Sequence, residues 1–194
     1  MSVVHRDQFL LFGGYDGSTW LNDTHAFDFK TRLWAPIATT GQVPSIRSCP
    51  SWCKEGSKVY VFGGYDGQSL AAGVRCTEHP QWRFRSRRKE TAQFTLPPTP
   101  SPLSSGLGVR RMNDFFVLDL DTFSWAELPC GGGPLDVPSP RYFHACAMHG
   151  GRMYTFGGYN GSERLNDMYS YDLSAGSWHQ ASAHRFDDMA FYLF

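Results

Sequence analysis

Five side chains recur at fixed places in this chain and are of types suited to recognition: Arg47 and Arg141, with Tyr15, Tyr65 and Tyr159. A guanidinium offers a planar fork of donors to a carboxylate, and a tyrosine offers rigid, amphipathic contact area. Groups that make and break bonds are sparse by comparison. Cys49 and Cys53 stand four residues apart, a spacing that can serve a metal, but on a strand they read more simply as small buried thiols. No Gly-rich phosphate loop, Ser-His-Asp set or Cys-x-x-Cys pair is present. The chain is therefore read as a binding protein, with no catalytic residues, no metal and no cofactor.

The recurrence is that of a repeat. FGGYDG is written at residues 12–17 and 62–67, and FGGYNG at 156–161, each as an apolar run ends. An Asn-Asp pair follows (Asn22-Asp23, Asn113-Asp114, Asn166-Asp167), and then a Trp (Trp34, Trp125, Trp178) 12 residues after the Asn. A second Asp (Asp28, Asp119, Asp172) precedes that Trp by 6 residues, and Arg47 and Arg141 each lie 15 residues before their Phe. So many shared offsets mark one structural unit written three times.

Each copy reads as four short strands of period two, rich in Val, Phe and Tyr and bounded by Gly, Asn, Asp and Pro. The Gly pairs Gly13-Gly14, Gly63-Gly64 and Gly157-Gly158 end the second strand, where a residue without Cβ takes positive φ or admits a neighbouring backbone. Tyr-Asp-Gly or Tyr-Asn-Gly then supplies turn chemistry. Lys30-Thr31, Asp121-Thr122 and Ser174-Ala175 fit two-residue hairpin turns, and the late Trp is expected to bury itself against the next copy. Asp23, Asp114 and Asp167 read as structural caps and turn stabilisers. Four antiparallel strands every 50 or so residues describe a propeller blade.

These residues resemble the kelch repeats, whose blades carry the Gly pair, the following Tyr and the late Trp at these spacings. The linkers ending in Arg47 and Arg141 are similar to the Gly-x-x-Pro-x-x-Arg form of leucine-zipper-like regulators, Rab9-effector-like proteins and host-cell-factor-like proteins. The resemblance implies an all-β, kelch-type β-propeller of about three four-stranded blades, an incomplete ring. Blade 1 is placed at 2–38 with its first strand truncated, blade 2 at 47–128, blade 3 at 141–181 and an irregular tail at 182–194. The resemblance further implies that Tyr15, Tyr65, Tyr159, Arg47 and Arg141 line the propeller mouth and hold a protein or peptide there, an acidic one given the arginines. The competing structural reading pairs each Arg with a loop Asp such as Asp16 or Asp66 and lets each Tyr pack its own turn. A scaffold or adaptor role follows, with self-association through open blade faces as a further expectation.

The alternative within the fold is a metal-dependent enzyme of the galactose-oxidase type. Its copper needs clustered Tyr and His ligands with a neighbouring Cys, and nothing here groups those types. His144 opens an inner strand, but its counterpart in the second copy is Pro50. Glu163-x3-Asp167 partly matches the Glu-x3-Asp-x3-His of iron-dependent specifier proteins, yet ends in Tyr171, and Asp167 belongs to the repeat.

The second copy carries 41 extra residues, about 70–110, basic in its first half and rich in Pro and Ser in its second. Such a segment buries too little apolar surface to order itself. Three readings stay open: a surface loop, tolerated because closure entropy grows slowly with length; a basic, proline-containing docking segment; or a translated retained intron, with a Val codon near its front edge at Val74, which would make the chain a non-functional gene-model fragment. The whole chain has a formal charge of zero, which gives no pull toward nucleic acid or acidic membranes. Met1 to Phe12 lacks the form of a secretory signal, and no run approaches the roughly 20 apolar residues of a membrane helix. Five unevenly spaced cysteines argue against a disulfide scaffold and for a reducing compartment, the cytoplasm or the nucleus.

Overall fold

The computed structural model describes residues 1–65, 112–133 and 136–182. These form three antiparallel sheets of four strands, laid side by side in chain order without closing into a ring. Blade 1 is β1 (Ser2–His5), β2 (Gln8–Tyr15), β3 (Trp20–Asp28) and β4 (Trp34–Pro36). Blade 2 is β6 (Ser51–Glu55), β7 (Lys58–Phe62), β8 (Phe115–Asp119) and β9 (Ser124–Leu128), with the short linker strand β5 (Thr40–Gly41) added parallel to β9. Blade 3 is β10 (Ala145–His149), β11 (Arg152–Tyr159), β12 (Arg164–Asp172) and β13 (Ser177–Ser182). The 41-residue segment and the tail beyond residue 182 lie outside the described residues.

Alternation along β7 and β8 explains why the sheets stack. Val59, Val61, Phe116 and Leu118 point toward blade 1 and join Val3, Leu10, Phe12 and Ala26 in one core cluster. Tyr60, Phe62 and Phe115 point the other way and join Met153, Tyr169, Tyr171 and Trp178 in a second. With a side-chain period of two, blade 2 is thus apolar on both faces, and each seam is a core of its own.

The late tryptophans fill those seams in a direction opposite to expectation. Trp125 of blade 2 packs on Phe12 of blade 1 at 4.8 Å between ring centroids, and Trp178 of blade 3 packs on Phe62 of blade 2 at 4.8 Å. These two Trp residues are therefore covered by the preceding copy, because β9 and β13 bring them beside Phe12 and Phe62 of the earlier blade's second strand. Trp125 and Trp178 are 2% and 0% exposed, whereas Trp34, whose face no described blade covers, is 53% exposed.

The turns between third and fourth strands are longer than two residues, running over 29–33, 120–123 and 173–176. The strand-ending Asp decides this. Asp28 Oδ1 accepts the main-chain N–H groups of Lys30 and Thr31 (both 2.8 Å), and Asp119 and Asp172 do the same two and three residues on. The residue four after each Asp then takes positive φ: Arg32, Phe123 and Gly176.

Candidate functional site

One end of the array gathers the ends of the second strands, the starts of the third and the linkers into the first. The Gly pairs make this possible. Gly63 has φ +64°, and a Cβ there would sit 2.6 Å from the carbonyl oxygen of Arg141. Gly13, at φ +58°, leaves the corresponding room for the carbonyl of Arg47. The linker of the following blade lies in that space, and Gly14 and Gly64 donate to the Arg47 and Arg141 carbonyls at 3.0 Å.

The arginines themselves point inward. Both side chains are fully buried, at 0% exposure. Arg47 grips Asp114 with two parallel bonds of 2.8 Å from Nη1 and Nη2. It also donates from Nη1 to the Gly63 carbonyl, from Nε to the Ser45 carbonyl and from Nη2 to Ser45 Oγ. Arg141 repeats the pattern on Asp167, at 2.5 and 2.9 Å, with the Gly157 carbonyl, the Ser139 carbonyl and Ser139 Oγ. A guanidinium has five N–H groups, and all five have acceptors. The planes lie over Phe116 and Tyr169 at 5.2 and 5.4 Å.

This departs from the mouth-lining position that the resemblance implied. An arginine with every donor used inside its own blade has none left for a partner's carboxylate. It departs as well from a pairing with Asp16, whose Oδ1 accepts the Ser18 and Thr19 main-chain N–H groups (2.8 and 2.7 Å) to shape the turn after β2. The acceptor is the Asp of the Asn-Asp pair, so that Asp is structural in both blades that have the Arg. In blade 1, Asp23 instead meets His25 Nε2 at 2.7 Å, exposed.

The tyrosines do lie at this end, and with company the repeat did not reveal. Tyr15 packs on Trp20 at 4.6 Å, Trp20 on Tyr65 at 5.9 Å, Tyr65 on Tyr142 at 5.2 Å, and Tyr142 on Tyr159 at 5.5 Å. Phe143, half exposed, touches Tyr142 at 5.3 Å. The strip crosses both seams. Its frame is backbone: Ser48 and Tyr65 exchange two main-chain hydrogen bonds, as do Tyr142 and Tyr159. Trp20 and Tyr142 escape sequence reasoning because neither recurs in the other copies. The only available signal was their position, next to the repeated turn and the repeated Arg.

Just inside the strip, His144 is buried against the edge of Phe62, with ring centroids 5.4 Å apart, and neither ring nitrogen is hydrogen-bonded. Burial, and then the charge of Arg141, push its pKa down to about 3 against a weaker opposing pull from the Phe62 main chain. The unfolded chain takes up a proton near pH 6.5 that the folded chain refuses. Stability is therefore complete above pH 6.5 and falls as pH drops from there toward 3. The loss from this residue should be about 2 kcal/mol between pH 7 and pH 5. Urea midpoints at the two pH values check it: His144→Gln should be less stable overall yet lack this part of the pH dependence.

Among the described residues, no three His, Cys, Asp or Glu side chains gather as a metal would require. Of the partial Glu163-x3-Asp167 pattern, Asp167 is held by Arg141.

Stacked four-stranded blades with the second-strand Gly pair, the buried linker Arg and the seam Trp define a β-propeller repeat array. A family model described as the KLHDC2/KLHL20/DRC7 Kelch-repeats domain matches residues 1–99 and 105–187, and the chain belongs to the kelch-repeat family. It is 27% identical over 172 residues to the leucine-zipper-like transcriptional regulator 1 homolog of Drosophila melanogaster, covering 89% of this chain and 14% of that protein. It is 26% identical over 198 residues to Kelch domain-containing protein 3 of Homo sapiens, 91% of this chain and 52% of the relative. Acyl-CoA-binding domain-containing protein 5 of Arabidopsis thaliana is 25% identical over 199 residues, 91% and 30%. The chain thus spans between about a seventh and a half of the length of these relatives. Among the described residues, no helix is long and apolar enough to cross a membrane.

Proposed function

We propose that this chain is a protein-interaction module, without catalysis, that holds an extended segment of a partner protein along the Tyr15–Trp20–Tyr65–Tyr142–Tyr159 strip. Kelch-repeat domains generally bind proteins. The observation that carries the reading is the strip itself, a run of rings in mutual contact crossing two seams. Aromatic surfaces of this kind give contact area at low entropic cost, and they suit prolines, other rings and guanidinium planes. An acidic partner loses its support, because the arginines that would have met it are already neutralised inside the blades.

Within a longer protein the module acts as a scaffold or adaptor. Among the described residues, Cys53, Cys130 and Cys146 stand as thiols, which fits a reducing compartment, the cytoplasm or the nucleus. The blade 1 face bearing Leu33 and Trp34, both well exposed, is shaped to take a phenylalanine-bearing blade edge as Trp125 takes Phe12. That is the route by which self-association would run.

The test is selection from a random peptide library on the purified, folded protein. Peptides should be enriched in proline, aromatic residues or arginine, and Tyr65→Ala should weaken the winners by about 1–3 kcal/mol while leaving the far-UV spectrum intact. Binders indifferent to both Tyr65→Ala and Tyr142→Ala would overturn the assignment.

A further inference from the structure

Two of the thiols meet across a seam. Cys53 lies on β6 and Cys146 on β10, the first strands of blades 2 and 3, which run in contact with one another. Cys53 is buried in the second core cluster and Cys146, half-buried, packs against it. The two side chains thus lie together in one seam, close enough for each to perturb the other. We propose that Cys53 and Cys146 form a reversible disulfide site, oxidised by hydroperoxides, that fastens blade 2 to blade 3.

The two sulfurs have different chemistry. Its neighbours Cys53, Ser51 and the Trp52 main chain draw Cys146 below the ordinary thiol range against the opposing effect of burial, and the buried Ser51 hydroxyl has no hydrogen-bond partner. Cys53 is driven the other way, by Cys146 beside it and by burial. A partly exposed thiol of lowered pKa beside a second cysteine is the arrangement that reacts first and is then resolved. The Cys146 thiolate attacks one oxygen of hydrogen peroxide, the O–O bond breaks, and the departing hydroxide takes up a proton to give water and Cys146 sulfenic acid. Cys53 sulfur then attacks that sulfur, the S–O bond breaks, and the hydroxide leaves as water with the Cys53 proton. Two thiols and one peroxide become one disulfide and two waters.

Closing a loop of this length restricts the unfolded chain far more than the folded one. The experiment uses the full-length protein, treated with hydrogen peroxide, blocked with a maleimide, digested and mapped by mass spectrometry. A Cys53–Cys146 linked peptide, a raised unfolding temperature, reversal of both by dithiothreitol, and loss of the shift in Cys146→Ala are the expected results. Recovery of Cys53 in alkylated form after Cys146 has been oxidised would overturn the proposal. So would a linked peptide formed equally well when the oxidation is done in urea. Should Cys146→Ala fail to fold, the map of the unsubstituted protein decides alone.

Discussion

Arg141→Ala should lower the stability of the folded protein by about 3 kcal/mol or somewhat more, read as a fall in urea midpoint at unchanged slope. Removing the guanidinium leaves the Asp167 carboxylate, the Gly157 carbonyl and the Ser139 carbonyl without their donor. Breaking a buried pair in this way typically costs about 3–5 kcal/mol. The lower end applies because the Asp167 side chain is 25% exposed and water can hydrate part of it. The loss also spreads beyond one blade. The Arg141 main chain donates to the Met112 carbonyl and accepts from Gly64, both in blade 2, while its side chain serves blade 3. One residue thus staples a seam. Arg141→Lys should recover little, since a single ammonium cannot reproduce a five-pronged planar fork. An Arg141→Ala variant as stable as the parent would refute the staple.

Trp178→Ala and Trp34→Ala should differ sharply although both remove the same repeat position. Trp178 is fully buried on Phe62 and Phe115, at 4.8 and 5.5 Å, and its loss should cost about 3–5 kcal/mol in transfer and cavity terms. Among the described residues, Trp34 rests on the rings of Phe9 and Phe27 of its own blade and stands half in solvent. Its loss should cost about 1 kcal/mol or less. Chemical denaturation of the two variants side by side measures the contrast. Equal effects would mean that something covers Trp34 in solution.

The architecture was legible because the repeat phrase fixes where strands end, and the Gly pair announces a positive φ and a close neighbour, both realised at Gly63. The role of the arginines was not legible. Arg47 and Asp114 lie 67 residues apart and Arg141 and Asp167 26 apart, a difference of 41 that equals the extra length of the second copy. Periodicity places both groups at one end of a blade but cannot say that the side chain turns inward. A usable sign did exist: strands one and three flank strand two, so what precedes each of them must meet across it. The direction of the Trp contact was equally hidden, because a period is the same read forward or backward. Trp20, Tyr142 and the Cys53–Cys146 meeting are unrepeated, so no comparison of copies could raise them.

The backward direction of each tryptophan has a bearing on biosynthesis. A ribosome delivers β2 of one unit, with its phenylalanine platform, long before β9 of the next, whose indole lands on it. Every new unit therefore finds its docking surface already laid down, and assembly can proceed vectorially as the polypeptide emerges. At each seam the greasy side awaiting cover is that of the unit just completed, which keeps sticky intermediates few.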